Sequence, residues 1–339
     1  MRSEFNEYKQ ELQHLQYSSE QKKQLATTSL YRAEFERKHA PKRHSKRRMT
    51  VSIVAAILVL IITAGAVDSW KSVAELFAPY FGTSKKQAEV MGVMGTALDE
   101  SVTQNGVTLT ANGIIGDKYN ACMLYTLSWD KETSVELPDN LPADAWDTSN
   151  TELLFKDETP KFWNATIVQV SKEKRQIKFL LRLSSEQPVI QKEFTLHVRD
   201  IQLCWPDETG ETQTHLVAKG NWELTTKTDY SDLSCKLKGD KTFELLDGHK
   251  ATLNEAYLSP LGAYFVWTVP EASDYSHAFD ITITKTDGTT VSMQYVGGTT
   301  AYQKKATRCI SVFRSDTILP LDDMERVTVG KTTYTLSRD

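Results

Sequence analysis

The side chains that most often perform catalysis or bind metals are scattered along this chain. None of its seven histidines forms a His-Glu-x-x-His pair or a Cys/His spacing typical of zinc. The sequence also lacks a phosphate-binding glycine loop, a Gly-x-Ser-x-Gly elbow and a dinucleotide fingerprint. We therefore expect no catalytic residue, no metal site and no cofactor. An extracellular enzyme stays a third hypothesis, which an acid pair or metal-ready cluster in a cleft would favour.

The four cysteines leave two interpretations open. All of them, Cys122, Cys204, Cys235 and Cys309, follow the apolar run described next. Outside the cell disulfides would persist, and four cysteines allow three full pairings. Cys122 and Cys204 nevertheless lie in apolar, strand-like runs, which suit buried thiols equally well.

Residues 49–67 (MTVSIVAAILVLIITAGAV) form an uncharged run of 19 residues, whose length as a helix matches a bilayer's hydrocarbon core. Basic residues precede the run, and Asp68 and Trp70 follow it, which is unlike a buried core helix. These flanks predict a single-pass protein of the cell membrane, with a cytoplasmic N-terminus and an extracellular C-terminal region. We expect contact with membrane lipid at Lys42, Arg43, Lys46, Arg47, Arg48 and Trp70.

A cleaved signal peptide is the alternative for this run. Against it, 48 residues precede the apolar stretch, which is also longer than a usual signal core. The small residues at positions 63–66 keep this alternative open.

Residues 1–48 predict a cytoplasmic arm of two short helices. The arm holds 12 Lys/Arg and 6 Asp/Glu, and a capping box, Ser18 with Gln21, separates the helices. Two helices this short cannot bury a core alone, so their apolar stripe favours a partner protein. The alternative is a weakly ordered tail that sets topology only. The predicted partner-binding residues are Phe5, Tyr8, Leu12, Leu15, Leu25 and Leu30.

Beyond the apolar run, the pattern predicts a mainly β region. Capping boxes at 72–75 and 84–87 indicate two juxtamembrane helices over 68–100, whose Met and aromatic residues would pack on the outer domain. From about Val102 short alternating runs separated by turn residues indicate antiparallel β-sandwiches, one over 101–238 and one over 239–339. Residues 68–339 carry 28 Lys/Arg and 38 Asp/Glu, so no direct nucleic-acid contact is expected.

The two sandwiches share a weak internal repeat. Residues 111–127 align with 253–269 through a few identities (Asn, Ala and Thr) and a common apolar pattern. The alignment favours two related domains.

Several motifs stand out along the chain, namely Phe81-Gly82, NGVTLT (105–110), IGDKYNA (115–121), GNWEL (220–224) and YLSPLG (257–262), together with YKQEL (8–12) and SSEQK (18–22) in the arm. These motifs resemble a domain-of-unknown-function family common in membrane proteins of Gram-positive bacteria. The resemblance implies immunoglobulin-like domains outside and a role similar to membrane-anchored anti-sigma factors or envelope-stress sensors. The arm departs from one large anti-sigma class in lacking a His-x3-Cys-x2-Cys zinc motif. Any sigma binding would then use a metal-free helix pair.

The other two hypotheses differ in the role of the cytoplasmic arm. In the first, the arm sequesters a sigma factor and the extracellular domains sense the envelope, so the chain regulates transcription by signal transduction. In the second, the arm is only an anchor, and the outer domains bind an envelope ligand or peptide. Deletion of residues 2–38 would be silent only under the second.

Overall fold

The computed structural model describes residues 67–138, 141–155, 162–207, 209–237, 242–270, 278–303 and 306–335. The arm (1–48) and the predicted membrane segment, apart from Val67, lie outside the described residues. Val73–Leu336 forms one compact unit, here called the β unit, and Met1–Ser72 with Ser337–Asp339 is assigned to another. No helix within the described ranges is both long and apolar enough to cross a membrane.

The described chain is mainly β, as the alternating runs predict. Its helices are α1 (Val67–Phe81), α2 (Lys85–Val93) and a short 3₁₀ helix (Leu321–Asp323). Its strands are β1 (Gly95–Gln104), β2 (Val107–Gly116), β3 (Asn120–Trp129), β4 (Thr151–Phe155), β5 (Phe162–Ser171), β6 (Gln176–Ser184), β7 (Glu193–Pro206), β8 (Thr212–Lys227), β9 (Cys235–Lys236), β10 (Thr242–Glu244), β11 (Lys250–Leu258), β12 (Gly262–Val269), β13 (Ile281–Lys285), β14 (Thr290–Gln303), β15 (Ala306–Arg314), β16 (Met324–Val329) and β17 (Thr332–Thr335).

The two helices confirm one predicted cap and correct another. Ser84 caps α2: Gln87 N donates to Ser84 Oγ (3.3 Å) and Ser84 N donates to Gln87 Oε1 (3.1 Å), a complete capping box. The cap predicted at Ser72 is wrong, because α1 already begins at Val67. Strand β1 begins at Gly95, earlier than the change of period at Val102 indicates, so the end of segment 68–100 is strand.

Replacing Ser84 by alanine is expected to lower the free energy of unfolding by about 1 kcal/mol, since an N-cap serine satisfies a backbone donor that has no partner within the helix. Urea denaturation measures the loss. Ser101→Ala, an exposed serine in β1, is the matched control and should change stability by less than about 0.5 kcal/mol. Equal losses in both variants would contradict a capping role.

The β unit contains two halves with the same strand order, here called the first repeat (β1–β8) and the second repeat (β10–β17). One sheet in the first runs β1-β2-β3-β6-β5, and the second has β10-β11-β12-β15-β14 in the same arrangement. The remaining strands run β4-β7-β8 and β13-β16-β17. In the second repeat β14 also pairs with β13, so all eight strands of this repeat belong to one sheet. Strand β9 pairs with β11 and brings this sheet to nine strands.

The register of the hairpins supports the internal repeat. Between β2 and β3 the ladder slips at Asn112, and between β11 and β12 it slips at Asn254. The sequence alignment places these two asparagines at equivalent positions. A β-bulge re-aims the strand around it, so an equivalent bulge indicates equivalent local geometry in both hairpins.

A single core lies between the two sheets of the first repeat. Its buried side chains come from β2, β3, β5 and β6 on one side and from β4, β7 and β8 on the other. Large rings fill it, including Tyr125, Phe179 and the fully buried Trp222. Trp146 stacks on Phe179 with ring centroids 4.2 Å apart. The second repeat buries its own ring cluster, in which Phe279 lies 5.1 Å from Phe243 and 5.5 Å from Trp267.

Helix α1 covers the opposite face of the β1-β2-β3-β6-β5 sheet. A Cβ added at Gly95 would lie 2.6 Å from Val73 Cγ1, and one at Gly113 would lie 3.2 Å from Phe77 Cε2. These glycines therefore let the helix approach the sheet closely. Because both faces of the sheet are covered, six consecutive residues of β3 are buried.

Candidate functional site

The C-terminus of α1 is held by a set of residues here called the helix clamp: Phe81, Gln87, Thr317 and Ile318. The Phe81 carbonyl accepts hydrogen bonds from Ile318 N (2.9 Å), Thr317 Oγ1 (2.8 Å) and Gln87 Nε2 (3.4 Å). Carbonyls in the last turn of a helix lack partners within it. Here the second repeat supplies them, more than 200 residues along the chain from α1.

Helix α2 reinforces the clamp. Gln87 Nε2 also donates to Ile318 O and to Thr317 Oγ1, both at 3.0 Å. Lys86 forms an ion pair with Asp323 of the 3₁₀ helix. The side chain that closes the α2 capping box thus also fixes α2 to the second repeat. Together, the clamp and the packing of α1 on the first repeat connect the helices to both repeats.

A second set of buried polar groups, here called the Asp117 network, joins the two repeats. Asp117 Oδ1 accepts from Tyr119 N and Asn120 N, both at 2.7 Å, and Asn120 Nδ2 donates to Oδ2 at 3.2 Å. Ser184 Oγ donates to Asn120 Oδ1 at 2.6 Å. Across the junction, the Ser259 hydroxyl donates to Asp117 Oδ2.

The second repeat completes this network with its own turn. Ser259 Oγ accepts from Leu261 N (3.1 Å) and Gly262 N (3.0 Å) while it donates to Asp117. Asp117 and Ser259 occupy equivalent positions in the repeat alignment, so the two repeats meet through corresponding turns. A Cβ at Gly262 would lie 2.2 Å from Phe313 O, which leaves space only for glycine.

Opposing influences act on the Asp117 carboxyl. Burial and the nearby Asp232 charge raise its pKa, while the hydrogen bonds from Ser259, Tyr119 N and Asn120 N lower it, and the net result is a pKa of about 6. The geometry suits the ionised form, because every group directed at the carboxylate is a donor. The junction therefore contains a buried carboxylate whose charge changes near pH 6.

The stability of the β unit is expected to fall by about 2 kcal/mol, through Asp117 alone, as pH rises from 4 to 7. The pKa of Asp117 is about 6 in the folded state, against 3.8 for an aspartate in water, so the folded state binds the proton more tightly. This contribution is complete below pH 3.8 and is lost as pH rises through about 6. Comparing urea denaturation of the wild type and Asp117→Asn isolates it, because other carboxyls titrate in both proteins. A pH-independent difference between them would contradict the prediction.

Tyrosine rings extend the junction beside the Asp117 network. Tyr119 of the first repeat stacks on Tyr264 of the second, with centroids 3.7 Å apart and planes inclined by 5°. Lys118 Nζ lies 4.3 Å from the centroid of the Tyr257 ring, a cation–π distance. The Tyr264 hydroxyl donates to Glu186 O at 3.2 Å. These contacts add apolar and electrostatic attraction between the repeats.

The structure locates only part of the predicted site. All six partner-binding residues of the arm and the five basic residues of 42–48 lie outside the described residues. Trp70 lies in α1. Phe77, Phe81, Met91 and Met94 are fully buried, which confirms that the helices pack on the β region.

The structure also shows the state of the four cysteines and the arrangement of possible metal ligands. Cys122, Cys204, Cys235 and Cys309 are all free thiols. Within the described ranges, no group of three or more His, Cys, Asp or Glu is arranged to hold a metal ion.

Sequence reasoning missed the residues that form this junction. The IGDKYNA and YLSPLG motifs stand out in the sequence, but neither predicts that Asp117 and Ser259 meet. The internal repeat was the available signal, since it aligns these two positions. It gave no sign of Thr317 and Ile318, which follow β15 in an irregular segment.

Comparisons with known proteins match one segment of the chain to a family. Residues 43–128 match a domain of unknown function, DUF4179. This segment contains the basic cluster except Lys42, the predicted membrane run, α1, α2, β1, β2 and β3 except Trp129. No curated protein matches the chain.

Two solved structures resemble the fold weakly. One, a conserved domain protein from Bacillus anthracis, is 16% identical with a TM-score of 0.45, over 69% of this chain and 75% of that one. The other, the N-terminal periplasmic domain of ScsB from Proteus mirabilis, is 9% identical with a TM-score of 0.23, over 70% and 95%. Both TM-scores are too low for a correspondence of folds to follow. Similarity to a described family is therefore shown for residues 43–128, which match the domain of unknown function DUF4179.

Proposed function

We propose that this chain is a membrane-anchored regulator similar to anti-sigma factors. Its arm sequesters a sigma factor on the cytoplasmic side, residues 49–67 cross the cell membrane, and the β unit lies outside. There its two repeats, as immunoglobulin-like sandwiches, sense the state of the envelope.

The helix clamp is the observation that supports this proposal. Val67 is the last residue of the apolar run and the first of α1, and Phe81 at the other end of α1 is bonded to the second repeat. A rearrangement of the repeats would therefore act on the helix that follows the predicted membrane segment in the sequence.

The mode of inhibition follows from the arm. A sigma factor bound to the apolar faces of the arm cannot reach RNA polymerase while it is held at the membrane. The faces contain no zinc motif, so binding relies on apolar contacts such as those of an amphipathic helix in a groove.

An affinity pulldown from the native cell tests the proposal. The bait is the tagged full-length chain in detergent, compared with a Phe5→Ala, Leu12→Ala, Leu15→Ala variant. A second triple variant, Gln10→Ala, Gln13→Ala, Gln16→Ala, changes the polar side of the same helix and is the matched control. We expect a sigma factor with the wild type and the glutamine variant, and its loss from the apolar variant.

The opposite result would favour the alternative. If the three baits recover a sigma factor equally, Phe5, Leu12 and Leu15 do not form its binding face. If no sigma factor is recovered with any bait, the arm is an anchor only. The chain would then be an extracytoplasmic module that binds an envelope ligand or peptide through the β unit.

A further inference from the structure

Two arginines lie close to the helix clamp and the Asp117 network. Arg182 of β6 pairs across the sheet with Cys122 of β3, and its guanidinium carbon lies 5.5 Å from the centroid of the Phe81 ring. Arg314, the last residue of β15, pairs with Gly262 of β12, next to the Ser259 turn. Each repeat thus contributes one arginine to the junction.

Neither arginine has its full set of hydrogen-bond acceptors. The Nε atoms of Arg182 and Arg314 are both buried and have no partner within the described residues. A guanidinium carries five N–H donors, and burying a donor without an acceptor is unfavourable by about 1–3 kcal/mol. Such a group in a native structure calls for an explanation, and a bound ion is one of those known.

The surroundings leave this positive charge largely uncompensated. Burial lowers the pKa of Arg314, and the nearby Arg182 charge lowers it further, while Cys122 and Asp316 act in the opposite direction. Burial raises the pKa of the Cys122 thiol to about 11, so this thiol is neutral near pH 7. The carboxylate of Asp316 is exposed and accepts a hydrogen bond from Gln294 at 2.8 Å.

We propose that Arg182 and Arg314 together form a binding site for a phosphate-type oxyanion. Such a ligand has enough acceptor oxygens for two guanidinium forks, and its double negative charge balances both arginines. A carboxylate offers only two oxygens and one charge, which suits a single arginine. Because one arginine comes from each repeat and Arg182 lies over Phe81, the bound anion would strengthen the junction that holds α1. The site is independent of any partner of the arm.

Titration of the full-length chain in detergent with inorganic phosphate, at constant ionic strength, tests this site. Isothermal calorimetry is expected to give one phosphate per chain, and acetate at the same concentration is expected to bind more weakly. Arg182→Gln and Arg314→Gln should each weaken phosphate binding at least about tenfold, the effect of losing one charge-assisted hydrogen bond. Arg326→Gln, an exposed arginine of β16, is the matched control and should bind like the wild type.

Arg182→Lys and Arg314→Lys keep the positive charge, so they still test the site if the glutamine variants fail to fold. They are expected to fold and to bind phosphate with intermediate affinity, because lysine loses the planar fork. Absence of phosphate binding by the wild type would overturn the proposal. So would equal affinity in the wild type and in all four variants at Arg182 and Arg314.

Discussion

Asp117→Ala is expected to reduce the free energy of unfolding of the β unit by about 3–5 kcal/mol at pH 7. The substitution removes the acceptor of two backbone N–H groups, the Asn120 amide and the Ser259 hydroxyl, all in a buried site. Each buried donor left without a partner is unfavourable, and nothing else in the turn replaces the carboxylate. Urea denaturation followed by tryptophan fluorescence measures the loss.

Asp130→Ala is the matched control. Asp130 Oδ1 also accepts three hydrogen bonds, from Glu132 N (3.1 Å), Thr133 N (2.7 Å) and Thr133 Oγ1 (2.6 Å), but the residue is exposed. Water can replace the lost acceptor there, so a much smaller effect is expected. Similar losses for the two alanine variants would show that burial of the Asp117 network does not matter for stability.

Strands with a regular apolar alternation could be predicted from the sequence. Several of the short alternating runs predicted after Val102 coincide with observed strands, namely β2, β3, β5, β6 and β7 of the first repeat and β11, β12 and β15 of the second. Each of these strands buries at least one face, so side-chain period and burial agree. The apolar alternation of a sequence therefore predicts a strand wherever burial in the core determines the residue type at alternate positions.

Strands β1 and β4, each at the edge of its sheet, escaped prediction, whereas the edge strand β5 did not. Strand β1 (GTALDESVTQ) forms an edge of its sheet and has no fully buried residue, so its sequence shows no alternation. Strand β4 alternates between buried and exposed, but it is five residues long and contains Glu152. In both cases the pairing partner, not local sequence, makes the segment a strand.

The junction illustrates a different limit of sequence reasoning. The capping box at Ser84 is local and was predicted, whereas the bonds from Gln87 to Thr317 and Ile318 join residues more than 200 positions apart. The repeat alignment pairs Asp117 with Ser259 but cannot tell that equivalent turns touch. Contact between repeats depends on how the two halves pack, which no motif in either half encodes.

Phe81→Ala is expected to reduce stability by about 3–5 kcal/mol, in the range seen for other buried phenylalanines. The ring is 1% exposed and lies 6.1 Å from Phe77 and 5.5 Å from the Arg182 guanidinium. Its loss leaves a cavity where α1 meets the first repeat and also removes the cation–π contact. Chemical denaturation measures the effect, and Leu154→Ala, at a leucine that is 42% exposed, should change stability by less than about 1 kcal/mol.

The Phe81 variant also separates packing from the hydrogen bonds of the helix clamp. The Phe81 carbonyl belongs to the backbone, so Ile318 N and Thr317 Oγ1 retain their acceptor after the ring is removed. If the ring is what holds α1 against the sheet, proteolytic cleavage near Gly82 should become faster in Phe81→Ala and stay unchanged in Leu154→Ala. Unchanged cleavage together with unchanged stability would mean that the clamp's hydrogen bonds suffice. The connection from the repeats to α1 would then depend on Thr317 and Gln87 rather than on Phe81.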